Sequence, residues 1–571
     1  MENILITTPN QLGSGNLPSG YDEVVFTLSD GNWTKKIVLP TQPTDKSKVV
    51  IRSSAGYTAQ LDVTNVDVPL SSLPIKSGCE YKLQYTLSIN AWLISGTGVS
   101  YLTPNEVGAI IPENTDSFTF YSMENSNWAP QVTLPVKAKD GAFIIIRSRA
   151  TYSSKVSNDN MLYASTTQVI TGDKYVFKYL SGFNGWVVDS APNRMLNAGD
   201  IKLQVPTPTS QNTTVYFSNA SWIEKIKLPE IAGDRDKISL KSAATFTATI
   251  DSSNVNLPGS MKLHTGEQYD FFYIAENKKW QLMMHPNTVY QAKDIPGGNV
   301  PELTRPRTFI NVSNGNFQSV LTLPSNQKEG TRIVVQSSSE RGFTVLANNM
   351  SYSIANGEIV AFKVDENHIW HKETITIDLL LVYSDKAAAR LGESVMRNRL
   401  IEAFNLTNDA LENSGANFRY RMRGLNKITA KDSWKTLGDP LRDLRSDPTV
   451  QGWRDNLKAD GVYYEGTEDG CGLAWVKASP FNMVATGSTN CGTTVMRHEL
   501  GHNMGLQHAG KSRSYNQGYG LLGTIMGGNA LPYYATPYRY TLDYGIPMGI
   551  PGKIDAVRAM NEFSSTVAAY R

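Results

Sequence analysis

The run His498-Glu499-Leu500-Gly501-His502-Asn503-Met504-Gly505-Leu506-Gln507-His508 decides how the C-terminal third of this chain is read. On a helix, His498 and His502 lie four residues apart on one face, and Glu499 sits beside that face. Both imidazoles can then reach one metal ion. Gly505 tolerates positive φ, so the helix ends there and the reversed chain delivers His508 as a third nitrogen ligand. The chain holds 7 His in 571 residues, and this short window contains three of them together with the Glu. A surface helix carrying incidental histidines is the alternative, and that concentration argues against it.

Three neutral imidazoles predict one catalytic zinc ion whose fourth position is open to water, with the pKa of that water lowered to about 7. Glu499 is then the expected general base, taking the water's proton and passing it to the leaving amine while the metal polarises the scissile carbonyl. The expected activity is zinc-dependent endopeptidase hydrolysis of protein or glycoprotein substrates.

At these residues the chain resembles the metzincin clan of metallopeptidases, whose signature His-Glu-x-x-His-x-x-Gly-x-x-His is matched at every fixed position. The resemblance implies a Met-containing turn beneath the metal site. Gly523-Thr524-Ile525-Met526-Gly527-Gly528 fits it, with Met526 as the Met-turn residue. Gly528 stands where astacin-like and serralysin-like members carry Tyr, so no Tyr ligand is expected. Ala509, after the third His, is not the Asp of snake-venom-type enzymes.

Upstream, 377–383 reads as a buried strand, and Met396, Leu400, Ala403, Phe404, Thr407 and Leu411 form one helical stripe that Ser414-Gly415 stops. A strand at 418–424, a helix around 439–457 and the 471–475 segment follow. This order resembles the bacterial peptidyl-Asp metallopeptidase family over roughly residues 375–571. The resemblance implies cleavage on the amino side of Asp and a cation in the pocket after the scissile bond. In metzincins the chain after the Met-turn builds that pocket wall, and 529–544 contains one cation, Arg539. A guanidinium suits a carboxylate bidentately. Arg497, Lys511 and Arg513 are the other donors, and a solvated surface role for Arg539 is the competing reading.

The preceding 374 residues carry an internal repeat with a period near 94, plainest in Trp33, Trp128, Trp222 and Phe317, then in Trp92, Trp186, Trp280 and Trp370. Each first aromatic precedes a Leu-Pro element: Leu39-Pro40, Leu134-Pro135, Leu228-Pro229 and Leu323-Pro324. Short runs of Val, Ile, Thr and Tyr between Gly, Asn, Asp and Ser turns predict all-β sandwich or barrel domains. The expected organisation is four tandem β repeats, 1–98, 99–192, 193–288 and 289–374, followed by an α/β metzincin-like catalytic domain, 375–571. Two readings of the aromatics stay open: core residues needed by each copy, or platforms for a glycan or cell-surface ligand. If the domains are independent, removing residues 1–374 leaves small-peptide cleavage intact.

Composition excludes other classes. With 40% hydrophobic and 19% charged residues the chain reads as globular, and its net charge of +2 gives no reason to expect nucleic acid. No apolar run of about 18 residues exists to form a membrane span. The stretch from Met1 to Ser14 lacks the basic start and apolar core of a signal peptide. The expected location is nevertheless extracellular, as a mature form or by export without a cleaved signal. Cys471 and Cys491 flank the edge of the expected cleft, and a disulfide between them fits an oxidising compartment. Cys79 is left over and reads as a buried thiol. A rival reading is an adhesin or binding protein with a latent or narrowly directed (glycoprotein or mucin) protease domain; the intact histidine and Glu499 set argues against a degenerate enzyme.

Overall fold

Buried and outward residues alternate along strands such as Glu23–Leu28 and Arg307–Val312, and that period of two builds the sandwich. The computed structural model describes residues 3–68, 70, 72–113, 116–256 and 259–571. It divides into two compact units. The first comprises Met1–Met195, Thr207–Thr214 and Ile231–Ile238, and the second comprises Leu196–Pro206, Val215–Glu230 and Ser239–Arg571.

In the first unit, Lys48–Ser53 turns Val49 and Ile51 inward, fully buried, and Lys48 and Arg52 outward. It lies in a five-stranded sheet ordered Ile4–Thr7, Glu23–Leu28, Lys48–Ser53, Glu80–Thr86, Ala91–Gly96, the first three strands parallel and the last two antiparallel. A small sheet of Lys36–Ile37, Ala59–Asp62 and Ser72–Ile75 completes the repeat. The second repeat has the same plan, with sheets of five and three strands. In the second unit, the fourth repeat again pairs a five-stranded sheet with Val320–Thr322, Phe343–Ala347 and Met350–Ile354. The part of the third repeat lying there includes the small sheet Lys225–Lys227, Ala248–Asp251, Lys262–Leu263.

The two aromatic series have different fates. Trp92, Trp186, Trp280 and Trp370 are all at most 1% exposed, so this series forms the core. The indole N–H groups of Trp186, Trp280 and Trp370 donate to the carbonyls of Pro135, Pro229 and Pro324, each at 2.8 Å. In these three repeats the Leu-Pro element thus supplies, through the Pro main-chain carbonyl, the acceptor that a buried indole needs. The first series sits at the core's edge. Trp33, Trp128 and Trp222 are each tilted by 52–54° against an exposed ring, Tyr57, Tyr152 and Phe246 respectively.

The catalytic domain is an α/β layer structure. Its strands are β1 (Ile375–Ser384), β2 (Phe418–Ile428), β3 (Gly461–Gly466), β4 (Gly472–Ala474) and β5 (Val484–Ser488), in the sheet order β2-β1-β3-β5-β4. Only β4, the edge strand, runs antiparallel to its neighbour. The continuous run Leu379 to Tyr383 is buried throughout, as a central parallel strand covered on both faces requires. Helices α1 (Asp385–Leu391) and α2 (Glu393–Ser414) follow β1, and the expected stripe from Met396 to Leu411 is the buried side of α2. Gly415, at φ 80°, forms the left-handed cap that ends it.

The single helix expected around 439–457 is two, α3 (Gly438–Asp443) and α4 (Pro448–Asn456). Pro448 cannot continue a helix through its missing N–H and pushes Asp447 into extended backbone, where the Asp447 side chain caps α4 through Thr449 and Val450. Helices α5 (Val495–Asn503) and α6 (Ala556–Val567) complete the domain. Among the described residues no helix is long and apolar enough to cross a membrane.

Within the second unit, the fourth repeat and the C-terminal domain share a partly buried charge cluster. Glu412, on α2, accepts from Arg307 and Arg332 of the repeat and from Arg419 on β2. Arg332 also reaches Glu373 at 2.7 Å. Burial pulls both Arg307 and Arg419 down to about 9. Phe272 of the third repeat packs edge-on against Tyr540, with ring centroids 5.3 Å apart. Two of the guanidinium partners of Glu412 thus come from the fourth repeat, so the C-terminal domain does not stand free of it.

Candidate metal centre

Helix α5 carries the first two ligands, and its buried side includes Met496, Glu499, Leu500 and His502. The helix ends after Asn503, and Gly505, at φ 96°, turns the chain back. His508 then returns to face the helix. Its Nε2 lies 3.0 Å from His498 Nε2 and 3.2 Å from His502 Nε2. The ligating atoms of all three lie within 4.8 Å of one another, and this is the one such His/Cys/Asp/Glu group among the described residues.

The outer nitrogens are already engaged. Nδ1 of His498 donates to the Ile525 carbonyl at 2.9 Å, and Nδ1 of His502 to that of Leu506 at 2.8 Å. These bonds select the tautomer that leaves each Nε2 lone pair facing the convergence point. Burial pulls His498 down to about 4 and lowers His502 as well, so both rings are neutral and competent to bind a cation. The donor set fits a small divalent metal with at least one open position.

Glu499 lies one residue from the first ligand and is mostly buried. Burial alone pushes its carboxyl up to about 8, and a dication beside it acts in the opposite direction. Gly472, on β4, makes room for it: a Cβ there would fall 2.3 Å from Glu499 Oε1. Cys471, the preceding residue, is disulfide-bonded to Cys491 ahead of α5, with Cα atoms 5.2 Å apart. Cys79 is free and half-buried at the edge of the first repeat's core.

Met526 lies beneath α5, 1% exposed. A Cβ on Gly501 would come within 2.8 Å of its Sδ, so the helix approaches the thioether closely because that residue is Gly. The Met526 carbonyl accepts from Ala509 N at 3.1 Å, which ties this turn to the chain just past His508. Gly518 and Gly527 allow the surrounding backbone to close in, since a Cβ on either would fall within 2.5 Å of main-chain atoms.

Arg539 requires a correction. Its Nε donates to the Asn413 carbonyl at 2.9 Å, and its guanidinium packs on Gly415, so it caps the C-terminal end of α2. The cation is engaged at a helix end, and burial, with the charge of Arg332 added, lowers its pKa. Arg497 is likewise occupied: it donates to Asn529 Oδ1 at 2.8 Å and to the Asn529 carbonyl at 3.1 Å, joining α5 to the chain after Met526. Lys511 and Arg513 are exposed on the loop after His508.

Sequence reasoning missed three supports of the site. Tyr534 is fully buried, its hydroxyl donates to the Arg497 carbonyl, and its ring lies over Gly501. Asn503 donates to the carbonyls of Trp475 and Val484 at 3.0 and 3.2 Å, anchoring the end of α5 to the sheet. Gly472 is the third. The signal for the third was present, since a Gly inside an edge strand marks close approach, but nothing local named the side chain approaching.

Three imidazoles converging on one point beside a buried carboxylate, at the open edge of a mostly parallel sheet, define a metallopeptidase. The chain belongs to the family of the metalloprotease StcE β-sandwich domain, which matches residues 21–96, 116–190, 210–284 and 305–374, and residues 373–539 match Metallo-peptidase family M12. It is 25% identical over 242 residues to a "Peptidyl-Asp metalloendopeptidase" of Pseudomonas aeruginosa PAO1, covering 34% of this chain. The match spans 40% of that relative's length. A chain in a solved structure described as "Structure of a chaperone-substrate complex" is 36% identical, with a TM-score of 0.89, covering 99% of this chain and all of that one.

Proposed function

We propose that the protein is a zinc endopeptidase that acts outside the producing cell, cuts protein substrates on the amino side of Asp, and uses its β domains to bind its targets. The observation that carries the enzymatic reading is the approach of the three histidine Nε2 atoms, 3.0 and 3.2 Å from His508, with Glu499 alongside. His498, His502 and His508 would hold the zinc. When bound, zinc polarises a carbonyl and acidifies a water.

The chain's own groups do the rest. Glu499 accepts a proton from the attacking water and returns it to the departing amine. The carbonyls of Ile525 and Leu506 hold the first two imidazoles in one orientation, which keeps the site preorganised. The antiparallel edge strand β4 presents unpaired backbone to an extended substrate. Support for Asp preference comes from the peptidyl-Asp relative. With Arg539 at a helix end and Arg497 tied to Asn529, the selecting cation falls to Lys511 or Arg513.

The test is digestion of a denatured proteome by wild type and Glu499→Ala, with new termini read by mass spectrometry and zinc counted in both proteins. Zinc-dependent cuts clustering before Asp support the full reading. Equal cutting by both proteins removes it, and cuts without Asp preference remove the specificity alone.

A further inference from the structure

The repeats share one sheet face that points away from the domain core, and in the second and fourth repeats a neighbour covers it. In the second repeat, Phe143, Ile145 and Val176 point outward yet are buried, because they join the core of the first repeat. At the rim of that contact Arg147 and Lys174 both grip Asp67 of the first repeat, the lysine at 2.7 Å. In the fourth repeat the corresponding strand is Arg332–Ser337, and its leading Arg332 grips Glu412 of the catalytic domain. Each time, the face takes a neighbour's carboxylate beside apolar side chains.

In the first repeat the same face lies open. The counterpart of Phe143 and of Arg332 is Lys48, and the counterpart of Val176 is Lys82, which pairs in register with Val50. These lysines are exposed around a cleft of about 580 Å³ floored by Val50 and Leu93 and walled by Tyr101 of the second repeat. Tyr101 is 46% exposed, and its hydroxyl is fixed by the Ile94 carbonyl at 2.7 Å. Glu80 pairs with Arg52 at 2.7 Å and approaches Lys82 at 3.4 Å. Lys48 has no ion pair among the described residues; Glu23, its register partner, lines the same cleft without bridging to it.

We propose that this cleft is a docking groove for an acidic polypeptide segment, whose carboxylates meet Lys48 and Lys82 while its apolar side chains cover Val50 and Leu93. Charge complementarity and the two internal precedents select that occupant. A polar sheet face also serves solubility. Solubility alone does not require a concavity with an apolar floor and an anchored aromatic wall.

The test uses the full chain carrying Glu499→Ala, so that the probe is not cut, and a fluorescent peptide alternating Glu and Leu. Binding should be read by anisotropy against a Gln–Leu peptide. The Glu–Leu peptide should bind at least about tenfold tighter than the control, and Lys48→Glu with Lys82→Glu should abolish that difference. Lys48→Gln with Lys82→Gln serves the same purpose if charge reversal prevents folding. Equal binding of the two peptides, or unchanged affinity in a folded variant, overturns the proposal. Binding of sialyllactose at this face in place of the peptide also overturns it, and assigns the groove to an acidic glycan.

Discussion

The Cα of Gly501 faces the thioether of Met526 so closely that an added methyl would lie 2.8 Å from the sulfur. A helix interior ordinarily gains about 1 kcal/mol when Gly becomes Ala. Here the change pushes α5 off the Met526 turn, and the turn carries Ile525, whose carbonyl orients His498. Gly501→Ala should therefore lower both thermal stability and zinc retention, despite the better helix propensity. Differential scanning fluorimetry with elemental analysis of the purified variant checks it; a stabilised, fully loaded protein would refute the contact.

Glu499 and His502 should fail in different ways. Glu499→Ala keeps all three imidazoles, so zinc content should stay near that of the wild type while turnover falls by at least about a hundredfold, the scale of general-base catalysis. His502→Ala removes a ligand and should lose the metal itself. Zinc stoichiometry beside peptide hydrolysis separates the two.

Glu412 should be a stability residue of the second unit. Removing its carboxylate leaves Arg419, 2% exposed, and Arg332 without their shared partner. Breaking a buried ion pair of this kind costs about 3 kcal/mol or more. Glu412→Ala should lower the melting temperature of the catalytic domain, and deletion of residues 1–374 should do the same or prevent folding. An isolated 375–571 fragment as stable and active as the full chain would refute this coupling.

Asp236 predicts a pH response in the first unit. It is fully buried, and burial pushes its carboxyl up to about 7, although it accepts from Thr166 N and Gly233 N at 2.8 Å each. The folded state thus holds this proton more tightly than the unfolded chain, whose value is near 3.8. The stabilisation is complete below about pH 4 and is lost as pH rises through about 7, a change on the order of a few kcal/mol. Melting of wild type and Asp236→Asn from pH 5 to 8 tests it: the wild-type transition should fall with pH, and the variant should lose that slope.

The choice between Lys511 and Arg513 should appear in cleavage maps. Alanine at the selecting cation should weaken the preference for Asp by about tenfold or more while leaving zinc content unchanged. If both single variants keep the wild-type preference, neither loop cation selects.

What the sequence determined by itself was the information carried by local spacing. Helical periodicity put His498, Glu499 and His502 together, Gly505 marked the turn that brings His508 back, and the Trp period with its Leu-Pro element exposed four related β domains. The Asp447-Pro448 break was equally local, since Pro448 itself marks it. Tertiary structure alone decided the rest, because those contacts join segments that no spacing rule connects. Arg539 bonds to a carbonyl 126 residues earlier in the chain. Glu412 is held by arginines from a neighbouring domain, so a solvated-looking helix residue became the joint between them. The outer face of the first repeat differs from its sisters in what packs against it, and strand alternation specifies which side chains share a face without specifying what covers them.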